Sequence, residues 1–186
     1  MTKNSNFAIA SNTKAFTAAA LAILEEEGKI NWNDKVKEYL PEFKMYNDYV
    51  TENFNIQDLL THRSGLGLGA GDLMFFPDGA DFTIQDVMTN FQYFEPVSAF
   101  RTQFDYDNLL YLVAGELISR VSGLSYEEFI EQRILQPLAM NNSFASLKRV
   151  EDKSSLAMPH STASGEIRQI EHIIKSINGA AKRNFF

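Results

Sequence analysis

The sequence predicts a mainly helical domain, and three observations carry that prediction. An apolar stretch from Ala15 to Leu24 sits inside a longer helix-forming window, positions 13–27. A second window, Asn108 to Val121, repeats apolar residues at three- and four-residue spacing (Leu110, Val113, Ala114, Leu117, Ile118, Val121), the period that lines one face of a helix. Two hydroxyl-to-acid pairs three residues apart, Thr83 with Asp86 and Ser125 with Glu128, have the form of capping boxes, in which each side chain satisfies a backbone donor at a helix start. Few segments alternate apolar and polar residues as a half-buried strand requires.

The elements follow in order. The first helix is apolar nearly all round from Ala15 to Leu24, which predicts burial on most sides, and Gly28 is placed to end it. Asp34 is a candidate cap for a short helix through Tyr39-Leu40 that Pro41 stops, and Asn55 for another over Ile56 to Leu60. Thr83 opens a helix with Ile84, Val87, Met88 and Phe91 on one face. Gly123 closes the 108–121 helix; Ser125 opens the next ahead of Tyr126, Phe129, Ile130 and Ile134, and Pro137 ends it. Glycine and aromatic loops fill the stretch from Ser64 to Phe82, and no repeat is evident.

Composition narrows the function classes. The chain has 186 residues, 45% of them hydrophobic, and a net charge of -7, which suits one domain-sized core and would repel rather than recruit a polyanion such as nucleic acid. There are no cysteines, so disulfides and thiol catalysis are excluded. No run approaches the ~18 apolar residues of a membrane span, and no charged-then-apolar secretory signal is present in the chain as given.

Ser11-Asn12-Thr13-Lys14 stands where a short apolar lead-in, Phe7 to Ala10, meets the first helix. Side chains three apart share a helix face, so the ammonium of Lys14 can reach the hydroxyl of Ser11 and activate it without a histidine. The plainer alternative is that Ser11 is an N-cap. Lys14 fits that alternative poorly, because a cation at the positive end of the helix dipole is disfavoured and a capping box wants an acid there. Two further features bear on the choice. Tyr106-Asp107-Asn108 precedes the strongest helix, and a phenol and an amide two residues apart can face one side of an extended turn. Such a tyrosine can relay a proton and the amide can bind a substrate; equally, Tyr106 can be a half-buried tyrosine and Asn108 an N-cap. The run Leu59-Leu60-Thr61-His62-Arg63-Ser64-Gly65-Leu66 is a helix end entering a glycine loop, where His62 and Arg63 suit the negative end of the dipole. His62, His160 and His172 have no His-Glu-x-x-His spacing, which speaks against a zinc hydrolase and reads each as a loop or surface histidine.

Taken together, these segments resemble the serine β-lactamase-related family of class C β-lactamases, D-alanyl-D-alanine carboxypeptidases and related esterases. Residues 7–27 with Gly28-Lys29-Ile30 resemble its nucleophile helix, Val36 to Phe43 the segment after it, and Leu59 to Leu66 its "LLTHTSGL" signature with Arg63 where threonine is usual. Residues 104–123 are similar to its Tyr-x-Asn helix, and Leu135 to Ser143 to its "PLGM" stretch with Ala139 replacing glycine. The resemblance implies the helical region of an α+β fold and an acyl-enzyme mechanism. Ser11 would be the nucleophile, Lys14 and Tyr106 would share proton transfer, and Asn108 would hold the substrate amide. The substrate would be a β-lactam, a D-Ala-D-Ala peptide or an ester, with no metal or cofactor. A full-length member would be expected in the periplasm or outside the cell.

Two departures accompany the match. The family's third element, a Lys-Thr-Gly or His-x-Gly strand giving the second oxyanion donor, has no counterpart, and the stretch Ser176 to Ala180 is followed by an unrelated end. The residues ahead of Ser11 are also too few for the family's leading strands. The expectation is therefore a single incomplete domain over 1–186, with most of the central sheet missing and activity weakened. The rival expectation is a non-catalytic helical interaction domain or a degenerate fragment.

Overall fold

The computed structural model describes residue 2, residues 4–74 and residues 82–172. Its organising element is one of two 14-residue helices, around which most of the other helices gather. In chain order the helices are α1 (Thr13–Glu26), α2 (Val36–Tyr39), α3 (Asp48–Asn53), α4 (Asp58–Thr61), α5 (Ile84–Asn90), α6 (Leu109–Ser122) and α7 (Tyr126–Ile130). α6 packs against α1, α2, α4, α5 and α7. Its residues Leu109 to Gly115 are all buried, as are Leu117 and Ile118, so its first two turns are enclosed on every side.

The capping chemistry explains where the helices start and stop. Thr83 and Ser125 form full capping boxes with Asp86 and Glu128. Asn55 and Asp58 exchange backbone-to-side-chain bonds of 2.9 Å each, so Asn55 does hold the entry to α4, although regular helix begins only at Asp58. Gly28 and Gly123 adopt φ of +68° and +73° directly after α1 and α6, the left-handed conformation that glycine takes without a Cβ penalty. Asp34 departs from its expected role. Its carboxylate accepts from the Asn31 amide and the Tyr39 hydroxyl, bracing the loop across α2, while Lys35 occupies the N-cap. α3 has no counterpart among the expected helices; Asn47 caps it by accepting from the Val50 amide at 2.8 Å.

α1 corrects the expectation of burial on most sides. It buries Thr13, Lys14, Thr17, Ala20, Leu21 and Leu24, while Ala15, Ala19 and Ala22 are exposed. Alanine makes a helix face apolar by composition yet gains little by burial, so the bulky residues on the opposite face decide its orientation. The remaining core is aromatic. Phe43 lies edge-on to Phe91 and tilted against Phe54, and Phe54 stacks on Phe100 at 5.4 Å.

Strand structure among the described residues is slight. His160–Ser161 (β1) pairs antiparallel with Arg168–Gln169 (β2), with His160 opposite Gln169. Isolated bridges join Asn6 to Leu156 and Leu66 to Pro96. The first of these ties the segment leading into Ser11 to a small cluster of Leu147, Val150 and Leu156.

Candidate active site

Ser11 lies in a 3-10 turn, Ala10–Asn12, that runs directly into α1. Asn12, not Ser11, is the N-cap of α1, and no side chain caps that end; the capping alternative for Ser11 is thereby set aside. Ala10, immediately ahead of the serine, has φ +48°. A non-glycine residue in that region carries strain of about 1–3 kcal/mol, of the kind that collects where a chain must turn sharply to present a side chain. Ser11 itself is half-buried.

Lys14 lies in the first turn of α1 and is only 7% exposed. Its Nζ donates to Asn108 Oδ1 at 2.8 Å. It also stands 4.7 Å from the centre of the Tyr106 ring and 5.2 Å from that of Tyr111, close enough for attraction between a cation and the ring faces. A buried lysine would otherwise pay heavily for desolvation. Here one amide oxygen and two aromatic rings compensate.

Asn108 can serve this bridge because its neighbour does the capping. Asp107 Oδ1 accepts from the amides of Leu109 and Leu110 at 2.8 and 3.4 Å, satisfying donors at the start of α6. The Asn108 side chain makes no cap bond and points instead to Lys14 through Oδ1 and to Asp72 through Nδ2, 3.1 Å from both carboxylate oxygens. Asn108 thus holds the N-cap position of α6, as the plainer alternative expects, while Asp107 supplies the side-chain bonds.

Asp107 is wholly buried, and its second oxygen has no hydrogen-bond partner among the described residues. Burial pushes its carboxyl up to about 7, against the opposing pull of the two amides, with the nearby Asp72 charge adding to the rise and Lys14 reducing it.

His62 is a second correction. It is neither a surface nor a free loop histidine: it is buried, ends α4 with φ +55°, and accepts from the Asp107 amide through Nδ1 at 3.1 Å. Its ring lies 4.5 Å from that of Tyr106, with Phe104 and Tyr111 on its other sides. Burial, and then the charge of Lys14, hold the imidazole below its usual range. A neutral ring whose Nδ1 accepts carries its proton on Nε2. The histidine thus forms a flat wall behind Tyr106.

Backbone bonds fix these parts together. The Asp105 amide donates to His62 O at 2.9 Å, Arg101 N to Arg63 O at 2.8 Å, and Gly69 N to Tyr106 O at 2.9 Å. Arg63, where the resembled signature has threonine, donates through Nε to Arg101 O at 3.0 Å. Arg101 in turn grips Asp58 with Nε at 2.9 Å and Nη2 at 2.6 Å. The glycine loop presses onto α6 at Gly71, whose φ is +74° and where a Cβ would lie 2.3 Å from Leu109 Cδ1. This close approach delivers Asp72 to Asn108.

Of the four residues expected from sequence, Lys14, Tyr106 and Asn108 are therefore in direct association, and Ser11 sits one turn before Lys14 on the same rigid element. Asp72 and His62 are the members that sequence reasoning missed. His62 lay inside a singled-out run but its burial was not legible there; Asp72 lies 36 residues from Asn108, with no local pattern to announce it. Among the described residues no group of three or more histidines and acids is arranged to hold a metal ion, and no helix is long and apolar enough to cross a membrane.

A helical domain with a buried lysine bridging a helix start to a Tyr-x-Asn turn defines the class: the helical portion of a serine β-lactamase and penicillin-binding-protein fold. Residues 1–173 match the Beta-lactamase family, and the chain belongs to it. It is similar to Unguisins hydrolase ungD' of Aspergillus campestris (30% identity over 153 residues, 80% of this chain and 29% of that protein). It is also similar to Protein flp of Staphylococcus aureus (31% over 163 residues, again 80% and 29%). Among solved structures, the octameric penicillin-binding protein homologue from Pyrococcus abyssi superposes with a TM-score of 0.80 at 29% identity, over 97% of this chain and 42% of that one. The chain thus spans less than a third of these curated relatives and under half of that structure.

Proposed function

We propose that this chain carries the nucleophile region of a serine hydrolase that works through an acyl-enzyme on an amide, lactam or ester. The observation that supports this reading best is Lys14: a buried ammonium at the start of α1, bonded to Asn108 at 2.8 Å and set against the face of Tyr106. A purely structural lysine gains little from such a position, whereas a proton-transfer group one turn from a serine hydroxyl needs it. Ser11 Oγ would attack the carbonyl carbon as its proton passes to Lys14 in its neutral amine form or to Tyr106 as a phenolate. The tetrahedral adduct would then expel the leaving nitrogen or oxygen, which takes that proton, and water would cleave the resulting ester. The Ser11 amide at the helix entry would supply one oxyanion donor, and Asn108 Oδ1, which holds Lys14 with one lone pair, would accept from the substrate amide with the other. The similarity to Unguisins hydrolase ungD' supports hydrolase chemistry.

Intact-protein mass spectrometry after incubation with a fluorescent penicillin and, separately, a fluorophosphonate tests the reading. Wild type should gain one adduct that Ser11→Ala does not form, and Lys14→Ala should slow its formation by at least about 10²-fold. A folded wild-type protein that forms no Ser11-dependent adduct would move the chain to the non-catalytic alternative.

A further inference from the structure

The bridge from Lys14 to Asp72 through one amide has a chemical asymmetry. An ammonium only donates hydrogen bonds and an ionised carboxylate only accepts them, whereas the Asn108 amide has one accepting end and one donating end. With Lys14 Nζ at 2.8 Å from one end and both Asp72 oxygens at 3.1 Å from the other, only one orientation of the amide satisfies all three groups. Flipped, it would set its NH2 against the ammonium and its oxygen against the carboxylate. Asn108 is 2% exposed, so water cannot relieve that mismatch.

We propose that Asp72 is a positioning residue that locks the Asn108 amide with its oxygen toward Lys14, and that this lock sets the state of the lysine. The proposal rests on the reading of Lys14 as the proton-transfer group. It adds a residue from the glycine loop, which approaches closely enough only because Gly69 and Gly71 lack side chains: a Cβ at Gly69 would lie 3.3 Å from Asp72 Oδ2, and one at Gly71 would strike Leu109 and Phe94. The turn is pinned by bonds from Asp72 N to Gly69 O and from Gly69 N to Tyr106 O. Asp72 is therefore held by the same backbone that holds Tyr106. Lys14 also faces Tyr106 and Tyr111 through their rings, and Asp107 and His62 through their fields. Without Asp72 the amide can turn its NH2 to a neutral lysine amine, whose lone pair accepts, and the charged form of Lys14 loses the Asn108 oxygen.

The test follows Lys14 directly. Protein labelled with 13C-lysine is titrated by NMR, the Lys14 Cε signal being assigned from its loss in Lys14→Arg. Asp72→Ala removes both the charge and the acceptor; Asp72→Asn removes the charge and keeps an acceptor oxygen. The Lys14 midpoint should fall by on the order of one pH unit in Asp72→Ala and by clearly less in Asp72→Asn. Equal falls in the two variants would reduce Asp72 to a distant charge, and an unmoved midpoint would remove it from the site; either result overturns the proposal. Should Asp72→Ala fail to fold, Asp72→Ser replaces it, since its shorter side chain draws the acceptor back from Asn108 Nδ2. The Ser11-dependent adduct is measured in parallel. An ordered Lys14 shift without any adduct would refute the catalytic reading alone, and an adduct without the shift would refute the positioning role alone.

Discussion

Replacing Asp107 by Asn alters a single buried oxygen, and the structure specifies what that does to stability as pH changes. The carboxyl rises from 3.8 to about 7 on folding, chiefly through burial. Between those two values the folded protein holds a proton that the unfolded chain has released. Folding therefore loses stability as pH increases across the window, and the loss is complete above about 7. At about 1.4 kcal/mol per tenfold change in proton affinity, the rise is worth about 4 kcal/mol, of which about 3 kcal/mol falls between pH 5 and pH 8. Asparagine keeps one oxygen for the amides of Leu109 and Leu110 and never ionises, so it should preserve the start of α6 and abolish this loss. His62 runs the other way. Its folded value is lowered, so it contributes stability as pH rises toward 6.5, but it does so in both proteins and cancels in their difference. Urea unfolding at pH 5 and pH 8 measures the effect. The stability of Asp107→Asn relative to wild type should improve by about 3 kcal/mol between the two. Parallel pH dependences would refute the assignment of Asp107 as a carboxyl that folds protonated.

Two backbone predictions accompany it, beside the adduct and titration experiments given above. Ala139 holds φ +54° where the resembled family stretch has glycine; Ala139→Gly should raise stability by about 0.5–1 kcal/mol, the strain of about 1–2 kcal/mol less the extra freedom glycine gives the unfolded chain, read from the urea midpoint. Gly71→Ala should do the reverse, costing about 2–4 kcal/mol, because the residue has φ +74° and its Cβ would meet Leu109 and Phe94 at 2.3 and 2.7 Å. The same variant should slow Ser11 adduct formation in whatever fraction remains folded, since the loop carrying Asp72 is pushed from Asn108. An unaltered melting temperature would show that this contact is loose.

Most of the helical scaffold was legible along the chain because its determinants are local. A cap and the amide that it satisfies are three residues apart, as in Ser125 with Glu128 or Thr83 with Asp86, and a glycine that ends a helix does so by its own φ. The spacing of Ser11 and Lys14 is local in the same sense. α3 escaped notice because six residues offer too little periodicity to read, and the orientation of α1 because alanines give a face no weight. Ser176 to Ala180, and residues 75–81 of the loop expected over Ser64 to Phe82, lie outside the described residues.

By itself the sequence determined which residue types were available for chemistry and where helices would begin. The tertiary structure decided which of them meet. Lys14 and Asn108 are 94 residues apart, Asp72 and Asn108 36, and Asp107 and His62 45. No propensity operating over a helical turn can specify contacts at such separations. They form because burying Leu21, Leu24, Val113 and Leu117 docks α1 on α6, and that docking removes water from the polar groups carried at the helix entrances. Once dry, the ammonium, the amide and the Asp72 carboxylate satisfy one another while His62 and Asp107 turn to backbone amides, and that pattern exists only in the folded chain.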